Sequence, residues 1–69
     1  MNQIKITLAA ARVNAGLTQE DVAKELHVSK QTIVNWEKGK CAVGYAQAKA
    51  LEALYNIPMD NIFLPSSLT

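Results

Sequence analysis

Two helix-start signals lie eleven residues apart in the stretch LTQEDVAKELHVSKQTIVNWEKGK, Leu17 to Lys40, and their closeness leaves the chain little freedom. Thr18 followed by Asp21 has the spacing of a capping box, with Asp in the place of the stronger Glu. Leu17 before that cap and Val22 after it are placed as a hydrophobic staple. Glu20 and Asp21 fall in the first turn, where the helix dipole favours acids. Ser29 then caps a second helix, with Val28 and Ile33 as its staple and Gly39 as its stop. The pattern predicts helices at about 19–26 and 30–38 with only His-Val-Ser between them, a connection short enough to force an αα-corner. Counting from Gln19, the small Ala23 falls fifth, where the helices must approach closely, and His27 falls ninth, at the turn. Leu26, Val28, Ile33 and Trp36 supply the apolar face of the corner.

The rest of the chain supplies material to cover that face. TLAAARVNAG offers Thr7 as a cap, a run of good helix formers and Gly16 as a stop. After Gly44, YAQAKALEALY places Tyr45, Ala48, Leu51 and Tyr55 at helical spacing. IPMDNIF reads as a last short turn of helix, with Ile57, Ile62 and Phe63 covering the core. Ile4 and Ile6 alternate, which two residues alone cannot turn into a strand. The expectation is an all-α bundle of about five short helices in one domain, 1–69, with its core at about 7–63 and a flexible tail at 64–69. At 69 residues such a domain buries only about 60% of its unfolded surface, so its stability margin is thin. Hydrophobic residues at 49% are still enough to build a core.

Composition removes several classes of function. One cysteine, Cys41, and one histidine, His27, leave no internal disulfide and no cysteine-based zinc site. With carboxylates spread over helix starts they form no nucleophile–base pair either, so an enzyme is not expected, nor a cofactor, metal or small-molecule substrate. No run approaches the roughly 20 apolar residues of a membrane span, and the N-terminus lacks a signal-peptide pattern. This composition suits a reducing cytoplasm, and a cytoplasmic, nucleoid-associated location is the expectation. The net charge is only +1, but its distribution is uneven: between Leu26 and Leu51 four lysines face one acid, Glu37.

On the second helix of the corner, at 100° per residue, Lys30, Gln31, Val34, Asn35 and Lys38 share one side. Ser29, Thr32, Ile33 and Trp36 look back toward the core. The outward side therefore carries amides and lysines and no carboxylate.

At this point the chain resembles the phage-repressor-like helix-turn-helix domains of the Cro or XRE type. GLTQEDVAKELHVSKQTIVNWEKGK carries the resemblance, and it continues without a gap through YAQAKALEALYNIPMDNIF, so that it covers about residues 7–63. It implies a five-helix bundle that presents its third helix to the major groove of double-stranded DNA. The departures are His27 where glycine is usual, Val43-Gly44 where a Pro-Ser-like pair is frequent, and Pro58 where a serine caps the final helix. None of the three touches the outward face.

Chemistry and resemblance then assign roles. Lys30 and Gln31 lie in the first turn, the part of a recognition helix that reaches deepest, and suit guanine O6/N7 and adenine N6/N7 respectively. Asn35 can read a base or hold a phosphate, and Val34 is either incidental surface or a contact for a thymine methyl. Thr18, Gln19 and Ser29 at the helix starts, with Lys38 and Lys40 after the reading helix, are the expected phosphate contacts. The resemblance also implies an ion pair between Arg12 and Glu37, which would turn the one acid of the reading helix inward. Trp36 and Tyr55 read as core aromatics, since only four aromatic residues exist and a single-strand stacking surface needs several exposed.

The implied function is a Cro-like repressor that binds a palindromic operator as a homodimer, with no membrane partner. Its dimer surface is expected on helix four and residues 57–69, with Tyr55, Met59, Leu64 and Leu68. The rival is a protein-interaction adaptor or antirepressor that keeps the fold without binding DNA, and the near-neutral net charge favours it.

Overall fold

The computed structural model describes residues 5–63, and its elements begin where capping residues stand. Strand β1 (Ile6–Thr7) leads into helix α1 (Leu8–Asn14), followed by α2 (Gln19–Leu26), α3 (Lys30–Lys38) and α4 (Tyr45–Tyr55). One turn of 3-10 helix, Met59–Asn61, then leads to strand β2 (Ile62–Phe63). Thr7 serves two elements, because its Oγ1 also accepts the Ala10 N–H at 3.0 Å and so starts α1.

Both halves of the capping box on α2 are made: Thr18 Oγ1 accepts from Asp21 N at 3.0 Å, and Asp21 Oδ2 accepts from Thr18 N at 2.9 Å. His27 ends α2 in the left-handed region at φ 59°, while the Val28 N–H returns to the Ala23 carbonyl at 3.0 Å. Ser29 Oγ accepts the Thr32 N–H at 3.2 Å to start α3, and Gly39 closes it at φ 78°. Helix α4 starts on Gly44, which has no side chain to cap with, and ends on Asn56 at φ 57°.

The core is one cluster drawn from every helix: Leu8, Ala11, Val22, Ala23, Ile33, Trp36, Leu51, Tyr55 and Ile62. Leu17, Leu26, Val28 and Ile57 are half-buried against it. Ile33, Leu51 and Val22 are the largest fully enclosed side chains, each stabilising the fold by about 1.5–3 kcal/mol through lost water contact. Helices α2 and α3 pack on each other more extensively than any other pair, with Ala23 buried.

Three expectations need correction. The described residues hold four α-helices, and the expected fifth is a single 3-10 turn that gives way to extended chain. Pro58 opens that turn without an N–H to donate, and Ile62 is buried by running parallel to β1, in register Ile6↔Ile62 and Thr7↔Phe63. Tyr45 does not belong to the buried stripe of α4; it is 82% exposed because the first turn of that helix precedes its entry into the core. Tyr55 is only 4% exposed, so it cannot form part of a dimer surface. Leu64 and Leu68, the 64–69 tail, Ile4 and the Phe63 side chain lie outside the described residues.

Candidate nucleic-acid interface

The corner turns the starts of α2 and α3 toward a common side, and the candidate site lies across both starts and along the outward face of α3. Ile33 and Trp36 are buried, which fixes the rotation of α3 about its own axis. Lys30, Gln31 and Lys38 are then exposed, with Val34 and Asn35 half-buried beside them. Lys40 is exposed just past Gly39.

A part-buried polar network holds this face in place. Arg12 Nε donates to Glu37 Oε2 at 2.7 Å, and Arg12 Nη1 donates to the Leu17 carbonyl at 2.9 Å. Gln19 Nε2 donates to Glu37 Oε1 at 2.9 Å. One carboxylate on α3 thus ties α1, the turn after it and the start of α2 together, and both its oxygens accept a bond. The charges are nearly dry, with side-chain exposures of 15% for Arg12 and 8% for Glu37. Among the described residues no buried side-chain nitrogen or oxygen lacks a partner. Glu37 also bears on Tyr55, whose phenol is pushed up to about 12, first by burial and then by the nearby carboxylate.

The outward residues make contacts of their own. Gln31 Nε2 donates to Asn35 Oδ1 at 3.1 Å, so two of the residues expected to read bases form one amide pair a helical turn apart. That bond leaves Asn35 Nδ2 and Gln31 Oε1 outside the pair. Lys30 Nζ lies 3.0 Å from Glu20 Oε2 on α2, a contact between side chains that are 54% and 64% exposed. Hydrogen bonding to Lys30 is the main reason the Glu20 carboxyl is held below its ordinary range. Asp21 is likewise held down, by the Thr18 backbone N–H first and the Thr18 hydroxyl second.

The helix-start residues are more engaged than their sequence positions implied. Thr18 and Ser29 spend an oxygen lone pair on capping, and the Ser29 and Thr32 hydroxyls share a hydrogen bond at 3.0 Å. Gln19 gives one of its two amide hydrogens to Glu37. Sequence reasoning missed Glu20. It found no acid on the outward side of α3, but the corner brings this one across from α2, and only the three-dimensional placement of two helix starts reveals it. Chemically the surface offers amide and ammonium donors, two helix N-termini and a shaped, rigid backing. Among the described residues no group of His, Cys, Asp or Glu is arranged to hold a metal ion, and no helix is long and apolar enough to cross a membrane.

Comparison with known proteins adds three relatives and one family model. The model, described as a helix-turn-helix, matches residues 8–62. An uncharacterised HTH-type transcriptional regulator of Methanocaldococcus jannaschii is 38% identical over 61 residues, which covers 88% of this chain and 92% of that protein. An uncharacterised HTH-type transcriptional regulator of Archaeoglobus fulgidus is 34% identical over 53 residues, covering 77% of this chain and 76% of the relative. The HTH-type transcriptional activator BcrR of Enterococcus faecalis is 31% identical over 55 residues, 80% of this chain but only 27% of BcrR. No solved structure matches the chain.

Proposed function

Since the chain belongs to the helix-turn-helix family of DNA-binding transcriptional regulators, of the Cro/XRE type, we propose that it is a repressor that reads a palindromic operator as a homodimer. The carrying observation is the outward face of α3: Lys30, Gln31 and Asn35 are presented on a helix whose opposite side is locked by Ile33, Trp36 and Glu37.

In this reading α3 enters the major groove with its first turn foremost. Lys30 donates to guanine O6/N7, and the braced Gln31–Asn35 amides meet an adenine edge or a neighbouring phosphate. Val34 packs on a thymine methyl. Thr18, Gln19 and Ser29 hold phosphates at the two helix starts, and Lys38 and Lys40 add charge on the far side. One domain of this size makes few base contacts, so a second copy on a half-site about 34 Å away supplies the remaining specificity. The outer face of α4 and the segment from residue 57 onward, with Met59, form the dimer surface. Repression follows from occupying the operator in place of polymerase.

Selection from randomised duplexes, followed by a salt titration, tests the reading. The expected outcome is an enriched two-fold-symmetric site whose affinity falls steeply with salt. Gln31→Ala then loses about 1–3 kcal/mol and relaxes one base position, whereas Lys40→Ala weakens all duplexes alike and lowers the salt slope by about 1. No enrichment even at low salt overturns the proposal and favours the adaptor.

A further inference from the structure

An acid beside a DNA-reading face is at first sight out of place. Glu20 is the second residue of α2 and Lys30 the first residue of α3, and the corner brings their charged groups to 3.0 Å. Both side chains are more than half exposed, so the pair adds little to fold stability. It does not serve raw affinity either, because a carboxylate at the start of the helix that crosses the DNA backbone repels phosphate.

The pair does change what Lys30 is free to do. A lysine ammonium is a compact charge on a flexible four-carbon stem, and beside a polyanion it settles on phosphates without regard to sequence. Glu20 competes with those phosphates for the same ammonium. The bond occupies one of three N–H donors and leaves two, the number that a paired contact to guanine O6 and N7 requires. Glu20 also cancels the charge of Lys30 during non-specific encounter.

We propose that Glu20 is a specificity-determining positioning residue: it holds Lys30 on base-edge readout and withholds it from sequence-independent phosphate binding. The proposal rests on the DNA-binding reading given above.

The test is a double-substitution cycle with the full chain: the parent, Glu20→Gln, Lys30→Met, and the two combined. Each protein is titrated with the selected duplex and with a shuffled duplex across a salt series. Glu25→Gln, an exposed acid at the other end of α2, controls for net charge, and circular dichroism melts verify that every variant is folded. Glu20→Gln is expected to tighten binding to shuffled DNA and steepen its logarithmic salt slope by about 0.9, the signature of one added phosphate contact. The ratio of selected to shuffled affinity is expected to fall by about fivefold or more, the lower end of what a paired base contact discriminates. Both effects should disappear in the Lys30→Met background and be absent in Glu25→Gln. An unchanged ratio and slope in Glu20→Gln overturns the proposal. So does an equal gain with Lys30 already removed, since Glu20 would then merely repel phosphate. A parent chain that selects no duplex at all defeats the DNA-binding reading itself, an outcome separate from either of these.

Discussion

Removing the Glu37 carboxylate is the sharpest stability test the fold offers. In Glu37→Ala, Arg12 keeps its bond to the Leu17 carbonyl but loses its counter-charge at 2.7 Å, and Gln19 Nε2 loses its acceptor at 2.9 Å. With side-chain exposures of 15% and 8%, little water is on hand to replace either contact. Stranding one member of such a buried pair costs about 3–5 kcal/mol. A 69-residue domain has in total about 3–10 kcal/mol of stability, so the substitution removes much of it. At about 4–8 °C per kcal/mol for this size, the melting midpoint should fall by at least about 12 °C. Thermal and urea melts followed by circular dichroism measure both quantities. Replacing the whole pair is expected to cost less than stranding half of it, so Arg12→Met combined with Glu37→Leu should melt above Glu37→Ala. A midpoint for Glu37→Ala within a degree or two of the parent, or a double variant that melts below Glu37→Ala, would refute the network as a fastening for α3.

Three further outcomes follow from local geometry. His27 sits at φ 59°, a conformation that disfavours side chains, so His27→Gly should raise stability by about 0.5–1 kcal/mol in the same melts. The Tyr55 phenol, ordinarily at 10.0, is pushed up to about 12 in the fold, so the folded state holds its proton more tightly. The contribution of this phenol is therefore fully present below pH 10 and is lost between pH 10 and 12, by about 2–3 kcal/mol, and Tyr55→Phe should abolish that part of the alkaline decline. Glu20, Asp21 and Glu52 have lowered carboxyls, so their contribution is present above their ordinary values of 4.5, 3.8 and 4.5 and fades as acid titrates the folded groups. Asp21→Asn should flatten the acid limb of a pH–stability curve, since it removes the charge held by the Thr18 N–H.

The reading of the chain from its residues succeeds where a local rule decides the outcome. Thr7, Thr18, Ser29 and Gly39 start or stop helices through bonds within a few residues of themselves. The strand pair fails that test. Ile6 and Ile62 stand at opposite ends of the chain, and nothing near either one announces the other. Tyr45 fails for a related reason, because helical spacing places it on the right face of α4 but cannot tell that the core has not yet begun.

The same distinction governs the site. Which residues of α3 face outward is set by Ile33 and Trp36, both visible as a three-residue apolar spacing. What those residues hold before any ligand arrives depends on contacts across helices, and these redistribute the roles. Gln19, expected as a phosphate contact, is part of the brace, because its amide reaches Glu37. Lys30 becomes half of a pair with Glu20. The two carboxylates therefore act in opposite senses on one helix. Glu37 is part-buried between two donors and braces α3, while Glu20 is exposed and pairs with a single side chain upon it. A rigid helix fixes where each donor begins, but a flexible lysine needs a second restraint before its position carries sequence information, and an acid within reach of its ammonium supplies one without adding affinity for every phosphate.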